Sequence, residues 1–156
     1  MSASIEWQWL PFEALSREQL YALLRLRSEV FVVEQNCVFL DMDGQDDKAM
    51  HLLGFRMIEE GALELVAYVR CFPAGIAFTE ASIGRVVTKP SARGSGLGHL
   101  LMAEAIRASV AHWGPHPIRI GAQAHLKHFY QQHGFIDMGL PYVEDGIDHL
   151  EMLRIG

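Results

Sequence analysis

The sequence predicts an α+β fold built on a mixed sheet. The prediction rests on the strand-like and helix-like hydrophobic patterns and on the order in which they follow one another. Short runs that alternate apolar and polar residues, bounded by glycine, proline or aspartate, indicate strands. Longer segments with apolar residues three and four positions apart indicate amphipathic helices. The elements follow one another in the order β-α-β-β-β-α-β-α-β-β, which is typical of an α+β protein.

The first two elements have clear boundaries. Alternation over 5–10 indicates a strand that stops at Pro11. Ser16 then caps a helix, with Gln19 at the position of a capping box. We expect this helix to be split, with a second short helix around 31–35.

The remaining elements fill the chain to its C-terminus. Strands at 51–59, 63–72 and 81–88 form an antiparallel series; a helix starts at Leu97 and is ended by Gly114; a strand at 118–123, a short helix carrying Tyr130, and strands at 135–142 and 149–155 follow.

Length and charge limit the number of domains and the classes of partner that the chain can have. With 156 residues the chain is expected to be one domain over 1–156. Its 13 basic and 19 acidic residues give a net charge of −6, which argues against a nucleic-acid partner and tolerates a cationic acceptor. Arg85, Lys89 and Arg93 form the clearest basic cluster, which fits one phosphorylated ligand better than a polymer.

The two cysteines and the N-terminus predict a cytoplasmic protein. Cys37 and Cys71 are isolated, so neither a disulfide framework nor a thiolate zinc site is indicated. Residues 1–7 contain no basic segment followed by an apolar one, and no apolar run has the length of a membrane span. We therefore expect no membrane partner.

Neither metal-like pattern in the sequence is complete. His125 and His128 have ligand-like spacing, but no cysteine or acidic partner joins them. The aspartate-rich loop 36–48 resembles a calcium loop, yet Gly44 falls at the fourth position of that loop and no glutamate closes it. We expect no metal; the loop is either a solvated turn or an electrostatic funnel for a cationic amine.

A glycine-rich turn between the strand at 81–88 and the following helix predicts an anion site. Gly94, Gly96 and Gly98 carry no Cβ atoms that would hold a phosphate away from the backbone, and Arg93 adds a cation. The free N–H groups at a helix N-terminus attract anions. We expect a ligand that contains a pyrophosphate; a tight turn without a ligand is the alternative.

Spacing excludes two common phosphate-binding patterns. A dinucleotide fingerprint from Gly94 requires glycine at the position of His99, and a P-loop requires lysine there. The pattern Arg-x-x-Gly-x-Gly over 93–98 resembles instead the acyl-CoA pyrophosphate loop of the GNAT acetyltransferases.

A second segment strengthens this resemblance. Tyr130, Gly134 and Phe135 match the Tyr-x-x-x-Gly-Phe pattern at the last helix of that family, although Gln123 stands where many members have asparagine. The segments 24–35, 41–47 and 121–126 are similar to the ElaA-like branch of the superfamily. The resemblance to this branch indicates the class of reaction more firmly than it indicates the substrate.

The resemblance implies a mixed, mostly antiparallel sheet with helices on both faces, and acetyl-CoA as cosubstrate. It implies that the backbone of one strand pairs with the pantetheine, that the glycine-rich turn holds the pyrophosphate, and that an amide side chain contacts the pantetheine. The residues concerned are Val86, Val87 and Thr88; Arg93, Gly94, Ser95, Gly96, Leu97 and Gly98; and Gln123.

The resemblance also implies transfer of an acetyl group to a primary amine, on a small molecule or a peptide, by direct attack in a ternary complex. Tyr130 is the expected general acid, with a core tyrosine as the alternative. Glu34 and His149 are the preferred base candidates, followed by Asp43, His51 and Glu80; for each of them a solvated or capping group is the alternative. A non-catalytic acyl-CoA-binding sensor or interaction module is the alternative function, and a monomer and a homodimer both stay open.

Overall fold

A computed structural model describes residues 4–156, and a seven-stranded sheet organises them. Residues 1–3, part of the N-terminal segment considered above, lie outside the described residues. The strands are β1 Ile5–Pro11, β2 Met50–Glu59, β3 Ala62–Phe72, β4 Ala81–Thr88, β5 Ile118–Gln123, β6 Phe135–Glu144 and β7 Ile147–Arg154. Their order in the sheet is β1-β2-β3-β4-β5-β7-β6, and only the β4–β5 pair is parallel. The predicted mixed, mostly antiparallel sheet is confirmed.

The helices are α1 Arg17–Arg27, α2 Leu97–Trp113 and α3 Lys127–Gln131. The predicted capping box of α1 is present: the Gln19 amide donates to the Ser16 hydroxyl at 3.0 Å, and the Ser16 amide donates to the Gln19 side chain at 2.8 Å. Within residues 4–156, no helix is both long enough and apolar enough to cross a membrane.

The predicted split of the first helix is wrong. Helix α1 runs without a break into a π-helical segment, Ser28–Glu34. A π-helix widens the turn and shifts the direction of the side chains that follow it. Glu34 and the Gln35 cap therefore face the neighbouring β4 and β5 instead of starting a separate helix.

Helices α1 and α2 cover opposite faces of the sheet, as expected. Leu23, Leu26 and Val30 of α1 and its π extension pack with Leu53 and Tyr68. On the other face, Leu101, Met102 and Ala105 of α2 pack with Val69, Cys71 and Ile118. The sheet thus separates two apolar cores, and its interior strand β3 is buried on both sides over most of its length.

Strands β4 and β5 diverge shortly after they meet. They pair only at Ala81 with Ile118 and at Ser82 with Arg119. Beyond these pairs, a bulge interrupts the pairing of β4 with β3, and Arg85 adopts a left-handed backbone with φ of 51°. A bulge of this kind bends its strand, and the far half of β4 keeps a backbone edge that β5 does not cover.

The aspartate-rich loop is largely exposed, as expected of a solvated turn, but three of its four aspartates form ion pairs. Three arginines from three elements hold its carboxylates, and Asp41 is buried. The ion pairs are Arg27–Asp41 at 2.9 Å, Arg27–Asp46 at 2.8 Å, Arg70–Asp43 at 2.8 Å, Arg70–Asp46 at 2.9 Å and Arg85–Asp41 at 2.8 Å. Because the three positive charges match the three negative ones, the loop is neutralised and fixed against the sheet.

Candidate active site

A cavity of about 910 Å³ opens where β4 and β5 diverge. It is bordered by the π-helical segment, the aspartate-rich loop, α3 and the turn between β6 and β7. Residues selected from sequence line it together: Glu34, Val86, Val87, Thr88, Arg93, Gly98, Gln123, Tyr130 and His149. The fold thus brings most of the predicted cofactor residues to one place with Tyr130, Glu34 and His149, whereas Gly94, Ser95, Gly96 and Leu97 do not line the cavity.

The N-terminus of α2 lies at one end of this cavity and has the geometry of an anion site. Gly94 and Gly96 have φ of 97° and 81°, a left-handed conformation that other residues rarely adopt. No side chain caps the helix, so its first N–H groups have no side-chain acceptor. Gly98 lines the cavity. A Cβ added at this position would lie in ordinary van der Waals contact with Phe129.

Leu97 and Ser95, both predicted to bind the cofactor, have side chains that are engaged within the protein. The Leu97 side chain is buried in the core on the α2 face, so its backbone alone is available to a ligand. The Ser95 hydroxyl donates to the Ala92 carbonyl at 3.5 Å, a long contact.

Arg93 and Glu34, predicted for different roles, bind each other. Both terminal nitrogens of the guanidinium donate to the carboxylate at 2.8 Å, and Arg93 also donates to the Thr88 carbonyl at 3.0 Å. The hydrogen bonds and positive charge of Arg93 lower the pKa of Glu34. Such a carboxylate is a weaker base than an unpaired glutamate.

The predicted basic cluster of Arg85, Lys89 and Arg93 carries no uncompensated charge. Arg85 binds Asp41, Arg93 binds Glu34, and the Lys89 ammonium lies 3.6 Å from the Glu64 carboxylate. Backbone N–H groups at the α2 N-terminus are therefore the principal free attraction for an anion at this end of the cavity.

Tyr130 lies inside the cavity on α3, enclosed by Phe129 and Phe135 in edge-on packing. Burial raises the pKa of Tyr130 to about 12, so the phenol keeps its hydrogen at neutral pH. Its hydroxyl makes no hydrogen bond with any residue in 4–156. The residue is buried, but its hydroxyl is open to the cavity, so it is free to donate to a ligand there.

His149 lies on β7 opposite Gln123 of β5, with its ring stacked on Tyr142 at a centroid distance of 5.2 Å. Its Nδ1 is 2.8 Å from the Ile147 carbonyl oxygen, which can only accept, so Nδ1 carries the hydrogen. In the neutral ring Nε2 then has the free lone pair. The nearest carboxylate oxygen, on Glu144, is 3.9 Å from Nε2, too far for a hydrogen bond.

Comparisons with known proteins agree with this geometry. The family model of the acetyltransferase (GNAT) domain matches residues 47–154. The chain belongs to the GNAT acetyltransferase family. It is 45% identical to the protein ElaA of Escherichia coli over 152 residues, covering 96% of each chain.

Solved structures point to the same family. The crystal structure of E. coli ElaA has a TM-score of 0.86 at 44% identity, covering 97% of this chain and 99% of the other. An acyl-CoA N-acyltransferase from Pseudomonas aeruginosa has a TM-score of 0.87 at 40% identity, with 97% and 99% coverage. A GNAT acetyltransferase of Elizabethkingia anophelis with acetyl-CoA bound shares the fold, with a TM-score of 0.62 at 14% identity and coverage of 97% and 98%. This GNAT chain is an enzyme of the acyltransferase class.

The other base candidates of this GNAT protein have structural partners. His51 lies outside the cavity and is buried, with Nε2 at 2.8 Å from the Asp46 carbonyl and Nδ1 at 2.6 Å from the Tyr68 hydroxyl. Glu80 binds Arg119, also outside the cavity. Asp43 does line the cavity; although burial works to raise its pKa, Arg70 holds it lower, at about 2.

Gln123 and the two histidines near the start of α3 differ in their access to the cavity. The Gln123 amide lies at the cavity end of β5, 3.5 Å from the Gln35 side chain. His125 also lines the cavity, whereas His128 does not. Among residues 4–156, no three His, Cys, Asp or Glu side chains are grouped to hold a metal ion.

Sequence reasoning missed several residues of the cavity wall, namely Arg70, Ser82, Gly84 and Tyr142. None belongs to a spaced motif. Tyr142 is one example: its hydroxyl occupies the space that a Cβ on Gly121 would need, so the glycine admits the ring from β6, which is separated from β5 by β7. A glycine inside a strand pattern is the signal that points to such a close approach.

Proposed function

We propose that the protein is an acetyl-CoA-dependent N-acetyltransferase that acetylates a primary amine by direct attack in a ternary complex. The observation that supports this most strongly is the cavity between the diverging β4 and β5, which has an uncapped helix N-terminus at one end and the unpartnered Tyr130 hydroxyl within it. Family membership supports acyl transfer in general.

The residues present fit acetyl-CoA, which would supply an activated acetyl group. Backbone N–H groups from Gly96 to Gly98 would hold the pyrophosphate, with Gly94 giving the turn its shape. The uncovered edge of β4 at 86–88 would pair with the pantetheine and offer an N–H donor to the carbonyl oxygen. Anchoring at the far end of the ligand positions its reacting end.

Two side chains would manage the protons. His149 Nε2 would accept the proton that the amine loses as the new C–N bond forms, while Tyr130 would donate its hydroxyl hydrogen to the sulfur that leaves as the C–S bond breaks. The protonated His149 and the deprotonated Tyr130 would then return to their starting states by exchange with solvent. Glu34 fits the base role less well because Arg93 engages both of its oxygens.

A covalent acyl-enzyme is not supported at Cys71. This thiol is fully buried on the α2 face of the sheet, and burial raises its pKa to about 12. A thiol in that state is a poor nucleophile, which argues against an acyl-enzyme at Cys71.

Gly98→Asp is expected to abolish stabilisation by acetyl-CoA. At a hundredfold excess over its dissociation constant, acetyl-CoA should stabilise the wild-type chain by about 2.7 kcal/mol. That corresponds to a rise in Tm of about 5–10 °C for a domain of this size. Aspartate at 98 puts a carboxylate against the pyrophosphate, whereas an acid in the first turn of α2 does not destabilise the helix itself.

Thermal unfolding with and without acetyl-CoA tests this directly. Gly98→Ala is the matched control, because its Cβ would lie 3.5 Å from Phe129 in ordinary contact and add no charge. We expect the alanine variant to keep most of the shift. A folded Gly98→Asp chain that still gains the wild-type shift would overturn the assignment of the anion site.

A further inference from the structure

The floor of the cavity has an open recess above Gly84. Ser82 and Gly84 are two residues apart on β4 and so face the same side of the sheet. Their partners on β3 are Phe72 and Arg70. A Cβ built on Gly84 meets nothing within 4 Å, and the glycine does not have a left-handed backbone. The absence of a side chain here therefore leaves space without being required by the fold.

Hydrogen-bond donors without acceptors surround this recess. The Arg70 side chain is 6% exposed, and its Nε is buried with no partner, although its terminal nitrogens bind Asp43 and Asp46. Arg85 uses Nε and Nη2 on the aspartate-rich loop, which leaves Nη1 without an acceptor in 4–156. Ser82 is a buried residue, but its hydroxyl is open to the cavity and has no partner in that range either. A buried donor such as Arg70 Nε is costly when nothing satisfies it, whereas the free donors of Arg85 and Ser82 are accessible to a ligand in the cavity.

The opposite wall of the cavity carries acidic side chains instead of hydrogen-bond donors. Glu144 and Asp145, from the turn between β6 and β7, line it together with His149. These carboxylates attract a cationic amine, which must lose one proton to solvent before it can attack. They also lie beside His149, the base that would take the second proton as the C–N bond forms. Asp43 lies on the arginine side, but both of its oxygens accept from Arg70, so its charge is already compensated.

We propose that the acceptor is an amine that also bears a carboxylate, and that this carboxylate binds in the recess above Gly84, where it accepts from Arg85 and Ser82 and lies beside the positive charge of Arg70. The proposal rests on the proposed function and narrows its acceptor to amino-acid-like molecules. Phe39, Phe72 and Phe78 also line this part of the cavity, so an apolar side chain on the acceptor is favoured.

Product analogues test the recess without requiring turnover. The probes are the N-acetyl derivatives of phenylalanine and leucine, their primary amides, and the corresponding N-acetyl amines that lack the carboxyl group. We expect the carboxylates to bind the full-length chain about tenfold to hundredfold more tightly than either neutral series, the usual scale for a charged hydrogen bond. Equal or weaker binding of the carboxylates, or no binding by any probe, would overturn the proposal.

Gly84→Ala places the test on the recess itself. The added methyl group occupies the open space without a clash, so the fold and the acetyl-CoA shift in Tm should be preserved, while carboxylate binding weakens about tenfold or more. Ser82→Ala should weaken it less, and Thr79→Ala, exposed and outside the cavity, should have no effect. Unchanged carboxylate binding in both Gly84→Ala and Ser82→Ala would contradict the assignment.

Turnover of the free amines separates this proposal from the proposed function. If carboxylate probes bind in the recess but no amine accelerates thiol release from acetyl-CoA, the proposed function fails and the recess stands. If amines without a carboxylate are acetylated as fast as their amino-acid counterparts, the function stands and the recess proposal fails.

Discussion

Tyr130→Phe is expected to lower the rate of acetyl transfer by about 10²-fold or more, the usual scale for a positioned acid. The substitution keeps the ring and its packing against Phe129 and Phe135 but removes the only hydrogen that the hydroxyl can donate. A residual rate should persist, because a thiolate whose conjugate acid has a pKa near ~8.5 can leave without assistance at some cost.

Steady-state rates at saturating acetyl-CoA measure this effect. The affinity for acetyl-CoA and the free energy of unfolding should change little, which separates chemistry from binding and folding. Tyr21→Phe on α1 is the matched control, because Tyr21 is exposed and lies outside the cavity. Equal rates for wild type and Tyr130→Phe would show that Tyr130 is a packing residue and that water protonates the departing thiolate.

Arg27→Ala is expected to lower the free energy of unfolding by about 3–5 kcal/mol, the range for removing one partner of a buried ion pair. Arg27 has no exposed surface and binds both Asp41 and Asp46. Its loss leaves buried carboxylates with fewer positive partners and opens space beneath the aspartate-rich loop.

Urea unfolding compares this variant with Arg25→Ala. Arg25 lies two residues earlier on α1 but is exposed, so its loss should change stability by less than about 0.5 kcal/mol. A similar small effect for both variants would show that the buried pairs do not hold the loop.

Elements whose signals are local were predictable from the sequence. The capping box at Ser16 needs only the residues of one helix turn, and the structure confirms it. The bounds of β4 follow from alternation that Pro90 ends, and the structure places them at the predicted residues. The glycine-rich turn was recognisable because each glycine answers a local backbone requirement.

Features that depend on distant partners were not predictable. Asp41 binds Arg85, 44 positions away in the chain, and nothing in the local pattern of either residue identifies the other. The sequence therefore left open a solvated turn and an electrostatic funnel, and it gave no sign of the ion pairs that neutralise the loop. The pairing of Arg93 with Glu34 joins residues 59 positions apart, so two site residues chosen for separate roles proved to be each other's partners.

The divergence of β4 and β5 is another feature that could not be predicted from local sequence. Both strands were predicted, but the point at which they separate depends on the left-handed Arg85 and on the bulge against β3. A non-glycine residue with positive φ carries no reliable signal in a single sequence. The cavity could therefore be inferred from sequence only through the family resemblance.

The most direct test of the account measures both products of the reaction together. The purified full-length chain is incubated with acetyl-CoA and an amino acid acceptor, and free thiol and acetylated amine are quantified from the same sample. We predict equimolar thiol and acetylated amine, formed at a rate that rises with acceptor concentration and collapses in Gly98→Asp. Binding of acetyl-CoA with no acetylated amine from any acceptor would contradict the account and identify a non-catalytic acyl-CoA-binding module.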